Sequence, residues 1–110
     1  MGEILFIALM RLIQSPDIYH MKAVRVIGYA GIEFEHKALY VSKGNDENAI
    51  TKKAVWLDIE ISEATKKYEK KFVLVEGIFD KNNLGHLRMF SGALFNINRI
   101  EVWGKEEKTK

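Results

Sequence analysis

From Lys22 the chain alternates apolar and polar residues with a period of two, and no other feature limits its fold as tightly. Val24 and Val26 flank Arg25, and Gly28 follows in the same register. That period sends successive side chains to opposite faces, so such a strand buries one face. Gly28 and Gly31 interrupt the run, as glycines do at a bulge or a sharp bend of a barrel strand. The strand resumes with Ile32 and Phe34 inward and Glu33 and Glu35 outward. His36-Lys37 reads as a hairpin turn, and residues 38–42 as the returning strand with Leu39 and Val41 inward.

The remaining pattern is also largely β. Residues 43–53 are polar and turn-rich, a long loop. Val55, Leu57 and Ile59 then alternate against Trp56 and Asp58 as a third strand. Residues 62–71 read as a short charged helix, with Ser62 at the N-cap and Glu63 in the first turn. Strands are expected over 72–79 and 92–103, separated by a second long loop over 80–91. The apolar run from Ile4 to Met10, followed by Leu12 and Ile13, reads as a helix over 3–14 that Pro16 ends. Being apolar on more than one side, that helix needs more than one covering surface.

A chain of 110 residues with 47% hydrophobic residues fits one domain with a sizeable core, here 1–104 with a charged tail over 105–110. Without cysteine it has no disulfide, thiolate metal site or cysteine nucleophile. The net charge of +2 is too small to argue for a nucleic-acid binder. The first apolar run is far shorter than the roughly 18–20 residues of a membrane span. It also lacks the basic start and small-residue cleavage site of a signal peptide, so a cytoplasmic protein is expected.

Helix, three strands, short helix and two strands is the order of an OB-fold, a partly open five-stranded Greek-key barrel. The residues carry the resemblance too. Residues 22–29 (KAVRVIGY) resemble the opening strand of many bacterial OB domains, 75–79 (VEGIF) a fourth strand and 98–102 (NRIEV) the closing strand. The stretch from Pro16 to Trp103 is similar to a group of small bacterial proteins of uncharacterised function, through 33–35, 38–40, 56–57, 85–86 and 91–92. The resemblance implies a mostly β, OB-fold-like barrel. It implies binding of oligonucleotides, oligosaccharides or proteins, without choosing among them.

The candidate site follows from parity and from that fold. If Leu39, Val41, Val55 and Leu57 point inward, Tyr40 and Trp56 point outward on the strands that carry the usual OB ligand face. Exposed there, they would stack bases, with Lys43, Lys52 and Lys53 meeting phosphates. Covered by the first helix, they would be buried instead. His86 and Arg88 sit in the second usual ligand loop, where they either contact a phosphate or tie the loop to the barrel. The 66–71 run (KKYEKK) reads as a basic patch or a solvated helix face.

Glu33 and Glu35 read as an acid–base pair or as carboxylates guarding a strand against aggregation. His20, His36 and His86 lack metal-ligand spacing, no serine sits in a G-x-S-x-G setting, and no phosphate-loop motif is present. The expectation is a non-catalytic binding module without cofactor or metal. Single-stranded nucleic acid leads as ligand. The alternative is a protein partner, as for an immunity protein or an assembly subunit, with self-association through the first helix. An enzyme built on Glu33, Glu35 and His86 would require them to converge.

Overall fold

The computed structural model describes residues 3–33 and 36–104. The described chain is mostly β, with six strands in one sheet and short helices. In order these are β1 (Leu5–Phe6), α1 (Leu9–Gln14), α2 (Pro16–Tyr19), β2 (Ala23–Glu33), β3 (His36–Tyr40), α3 (Lys43–Glu47), β4 (Ala54–Leu57), α4 (Glu63–Lys66), β5 (Lys71–Asp80) and β6 (Ala93–Val102). Single 3-10 turns cover Thr51–Lys53 and His86–Arg88.

β2 organises the sheet. Residues 23–30 pair antiparallel with β5, and Tyr29 to Glu33 pair antiparallel with β3. One continuous strand therefore serves two partners. The expected interruption at Gly28 and Gly31 is absent, and the only register shift in the β5–β6 pair lies between Glu76 and Ile78. Gly28 has a different reason. A Cβ there would lie 2.6 Å from Leu39 Cγ, 2.9 Å from Leu9 Cδ2 and 2.9 Å from the Tyr40 carbonyl oxygen, so glycine permits a close crossing. β3 pairs antiparallel with β4, β4 parallel with β6, and β6 antiparallel with β5. The pairings thus run β2–β3–β4–β6–β5 and return from β5 to β2.

Inward residues of all five long strands form the main core. It contains Val24, Val26, Ile32, Leu39, Val55, Leu57, Val73, Val75, Phe79 and Leu94. Leu9 and Leu12 of α1 and Tyr19 of α2 join it, so the first helix folds onto its own sheet. That helix is half the expected one. Ile4, Phe6 and Ile7 favour extended backbone. Leu5 and Phe6 accordingly pair parallel with Val24 and Arg25, and the Ile7 N–H donates to the Arg25 carbonyl at 3.1 Å. Pro16 begins α2 at its first position, where its missing N–H costs nothing, so the expected turn at 15–17 is a second short helix.

Other boundaries move as well. Glu33 pairs with His36, making His36 and Lys37 strand residues instead of a turn. Residues 34–35 lie outside those described, as do 105–110. The expected loop over 43–53 contains α3, capped where the Asn45 N–H donates to Ser42 Oγ at 3.1 Å. The expected 62–71 helix shrinks to Glu63–Lys66, because Lys71 opens β5. Tyr68 is no exposed aromatic among lysines: it packs against the core, and its hydroxyl donates to the Ile100 carbonyl at 3.0 Å. No described helix is long and apolar enough to cross a membrane.

Candidate ligand face

Parity places Tyr40 and Trp56 opposite the main core, as the alternation predicts. Ala38 pairs with Trp56 and Tyr40 with Ala54 across the β3–β4 ladder, while Leu39, Val55 and Leu57 face inward. The outward side is not bare. Tyr29, Ala38, Tyr40, Ala54 and Phe90 form a second buried cluster, with Trp56 and Met89 packed on its edge. Tyr40 is only 2% exposed, so its ring offers no stacking platform. The cover is Phe90 from the β5–β6 loop together with α3, and the N-terminal helix lies elsewhere.

Trp56 stays half-buried at the rim. The His86 ring lies nearly parallel to it, at 19° and 6.4 Å between centroids, and Phe90 is tilted against it at 5.4 Å. Lys37 Nζ sits 5.2 Å from the Trp56 ring centroid and donates to the Ile59 carbonyl at 2.7 Å. His36 approaches His86 at 5.8 Å between ring centroids. The rim is therefore a cationic and aromatic group made from β3, β4 and the 81–92 loop.

That loop is held firmly. The Trp56 N–H donates to the Gly92 carbonyl at 2.8 Å, and the Ser91 N–H donates to the Ala54 carbonyl at 3.0 Å. Ser91 Oγ donates to the Lys52 carbonyl at 2.8 Å, which ties the two long loops together. Leu87 and Arg88 both have positive φ, 54° and 57°, and both are exposed, Leu87 to 73%.

The structure thus brings Trp56 and His86 to one rim, links the Lys52 backbone to it through Ser91, and leaves Arg88 exposed on the same loop. Lys53 is partly buried and its carbonyl accepts the Val41 N–H at 3.0 Å. Lys43 begins α3, with Nζ 3.8 Å from the Glu47 carboxylate. Sequence reasoning missed Lys37, Phe90 and α3. His36 was legible by parity, two residues from Ala38 and four from Tyr40 on the same face.

Beside this rim the outer face turns acidic. Asp46 of α3 lies over Gly31, where an added Cβ would come within 2.8 Å of its Oδ1. Burial raises the Asp46 pKa; Lys70 opposes the rise, while Glu33 adds to it. Burial pushes the Tyr40 hydroxyl up to about 12, with Asp46 and Glu33 adding to the effect. Glu33 is exposed at the end of β2, and Glu35, its proposed acid–base partner, lies outside the described residues. Among the described residues no three His, Asp or Glu side chains converge on a metal position.

Comparison with known proteins finds no matching family model, no matching curated protein and no matching solved structure.

Proposed function

We propose that the chain is a non-catalytic binding module on an OB-like five-stranded barrel, and that its ligand is a protein partner. The barrel reading rests on the returning pairing order, the parallel β4–β6 contact and the helix between β4 and β5. The single observation behind the partner is the loop tip at Leu87 and Arg88. Two successive non-glycine residues hold left-handed backbone there, at a cost of order 1–3 kcal/mol each. What this strain achieves is presentation of an apolar and a cationic side chain to solvent on the loop whose Gly85 and His86 pack against Trp56. Tryptophan and arginine are the residue types enriched where interface energy concentrates.

The test is affinity capture from host lysate with the wild-type chain and with Leu87→Asp plus Arg88→Glu, scored by quantitative mass spectrometry. A protein retained by the wild type and lost with the variant is expected. Identical recovered sets would sink the reading.

Single-stranded nucleic acid is the second reading, favoured by Lys37 over the Trp56 ring and by exposed Lys52 and Arg88 on the two adjoining loops. It ranks lower because Tyr40 is covered and because Asp46 and Glu33 would repel a phosphate chain crossing the same face. Fluorescence anisotropy with labelled mixed-sequence DNA decides it. Binding that weakens steeply with salt and disappears in Trp56→Ala supports nucleic acid. Flat anisotropy at micromolar protein removes it.

A further inference from the structure

A cavity of about 260 Å³ opens on the outer face of β2 and β3, lined by Gly31, Glu33, His36, Tyr40, Asp46 and Ala49. Asp46 rests over the Gly31 backbone at its side: a Cβ at position 31 would stand 2.8 Å from Asp46 Oδ1 and 3.2 Å from Tyr40 Cε1. Two carboxylates reach it from different elements, Glu33 from β2 and Asp46 from α3. Neither makes an ion pair among the described residues. Lys70, whose ammonium is 3.7 Å from Glu69, and His36, which also lines the cavity, act on Asp46 only through longer-range attraction.

Tyr40 supplies an independent observation. The residue is 98% buried, yet its hydroxyl has no hydrogen-bond partner among the described residues. Among the described residues no side-chain oxygen sealed from solvent lacks a partner, so this hydroxyl is open, and Tyr40 lines the cavity. An open phenol oxygen still has lone pairs to accept with, which makes it a place for a donor beside the two carboxylates.

We propose that this cavity binds a primary alkylammonium group. An ammonium carries three donors and one charge. Here it meets two carboxylates and a phenol oxygen, with the aromatic edge of Tyr40 beside them. A divalent metal fits worse, since no three ligating side chains converge. The volume suits a side-chain-sized group and is below that of sites for drug-sized ligands. The group comes either from a lysine side chain of another protein or from a free polyamine. The cavity shares its face with the proposed protein-binding rim but does not depend on it, because a small amine needs no partner.

The experiment is an NMR titration of the isotope-labelled protein, following the Gly31, Asp46 and Ala49 amides. One arm uses N-acetyl-lysine methylamide, the other spermidine, with tetramethylammonium as a control for charge alone. Saturable shifts at these amides in the millimolar range or tighter are expected with at least one amine, and the tighter arm identifies the source. Asp46→Asn should weaken binding roughly tenfold and Tyr40→Phe about fivefold, as for a charged and a neutral hydrogen bond. Gly31→Ala, which keeps every charge but pushes the Asp46 carboxylate out of place, should weaken it too. Thermal unfolding of each variant separates lost binding from lost folding. Shifts equal to those with tetramethylammonium, or binding unchanged in folded Asp46→Asn and Gly31→Ala, would overturn the proposal.

Discussion

Gly85 shows how one residue fixes the rim. Its backbone, at φ 69° and ψ −156°, lies in a region open to glycine almost alone. A Cβ there would stand 2.8 Å from Trp56 Cβ and Cδ2. Gly85→Ala therefore meets strain and a clash together, and should cost roughly 1–3 kcal/mol of stability. It should also make Trp56 more accessible to a quencher. Urea unfolding and acrylamide quenching check both, with Trp103→Phe as background so that Trp56 alone reports. An unchanged midpoint and unchanged quenching would mean that the loop re-forms without the glycine contact. Tyr40 makes a different point about single residues. Alternation gives its side correctly and says nothing about burial, because the ring that covers it, Phe90, comes from fifty residues further along the chain.

Elements were legible where a side-chain period controlled them, and illegible where a distant partner did. The inward and outward faces of β3 and β4 follow from alternation in 38–42 and 55–59. The N-terminal segment fails that logic. Its apolar run reads as a helix until β2 offers Val24 and Arg25 as partners and draws residues 5–7 into extended pairing. α3 hid in a polar stretch because its apolar content is nil, although Ser42 three residues before Asn45 was a usable capping signal. The shortened α1 still matters for stability, since Leu12 is fully buried in the main core. Leu12→Ala should cost about 2–5 kcal/mol, while exposed Gln14→Ala should stay within about 0.5 kcal/mol. Chemical denaturation of the pair measures this. Equal effects would mean that α1 is not docked in solution.

Across the whole molecule, Glu76 fastens three strands. Its Oε2 accepts from Arg25 Nε on β2 and from Arg99 Nη1 on β6, both at 2.7 Å. Burial pushes the Glu76 carboxyl up, but the two arginine hydrogen bonds outweigh it and hold the pKa below the usual value. A depressed folded pKa gives stability that is present above the unfolded value and lost as pH falls through the folded one. Glu76→Gln should therefore be less stable than wild type at neutral pH, with the difference vanishing in acid. Denaturation across that range tests it, and a constant difference would show that charge is not the cause. The returning strand order has one more consequence, for synthesis. β6 pairs with both β4 and β5, so until residue 102 has left the ribosome those two strands each present an unpaired edge. A stalled or C-terminally clipped product would keep those two edges open and able to recruit other chains, which makes it prone to aggregation.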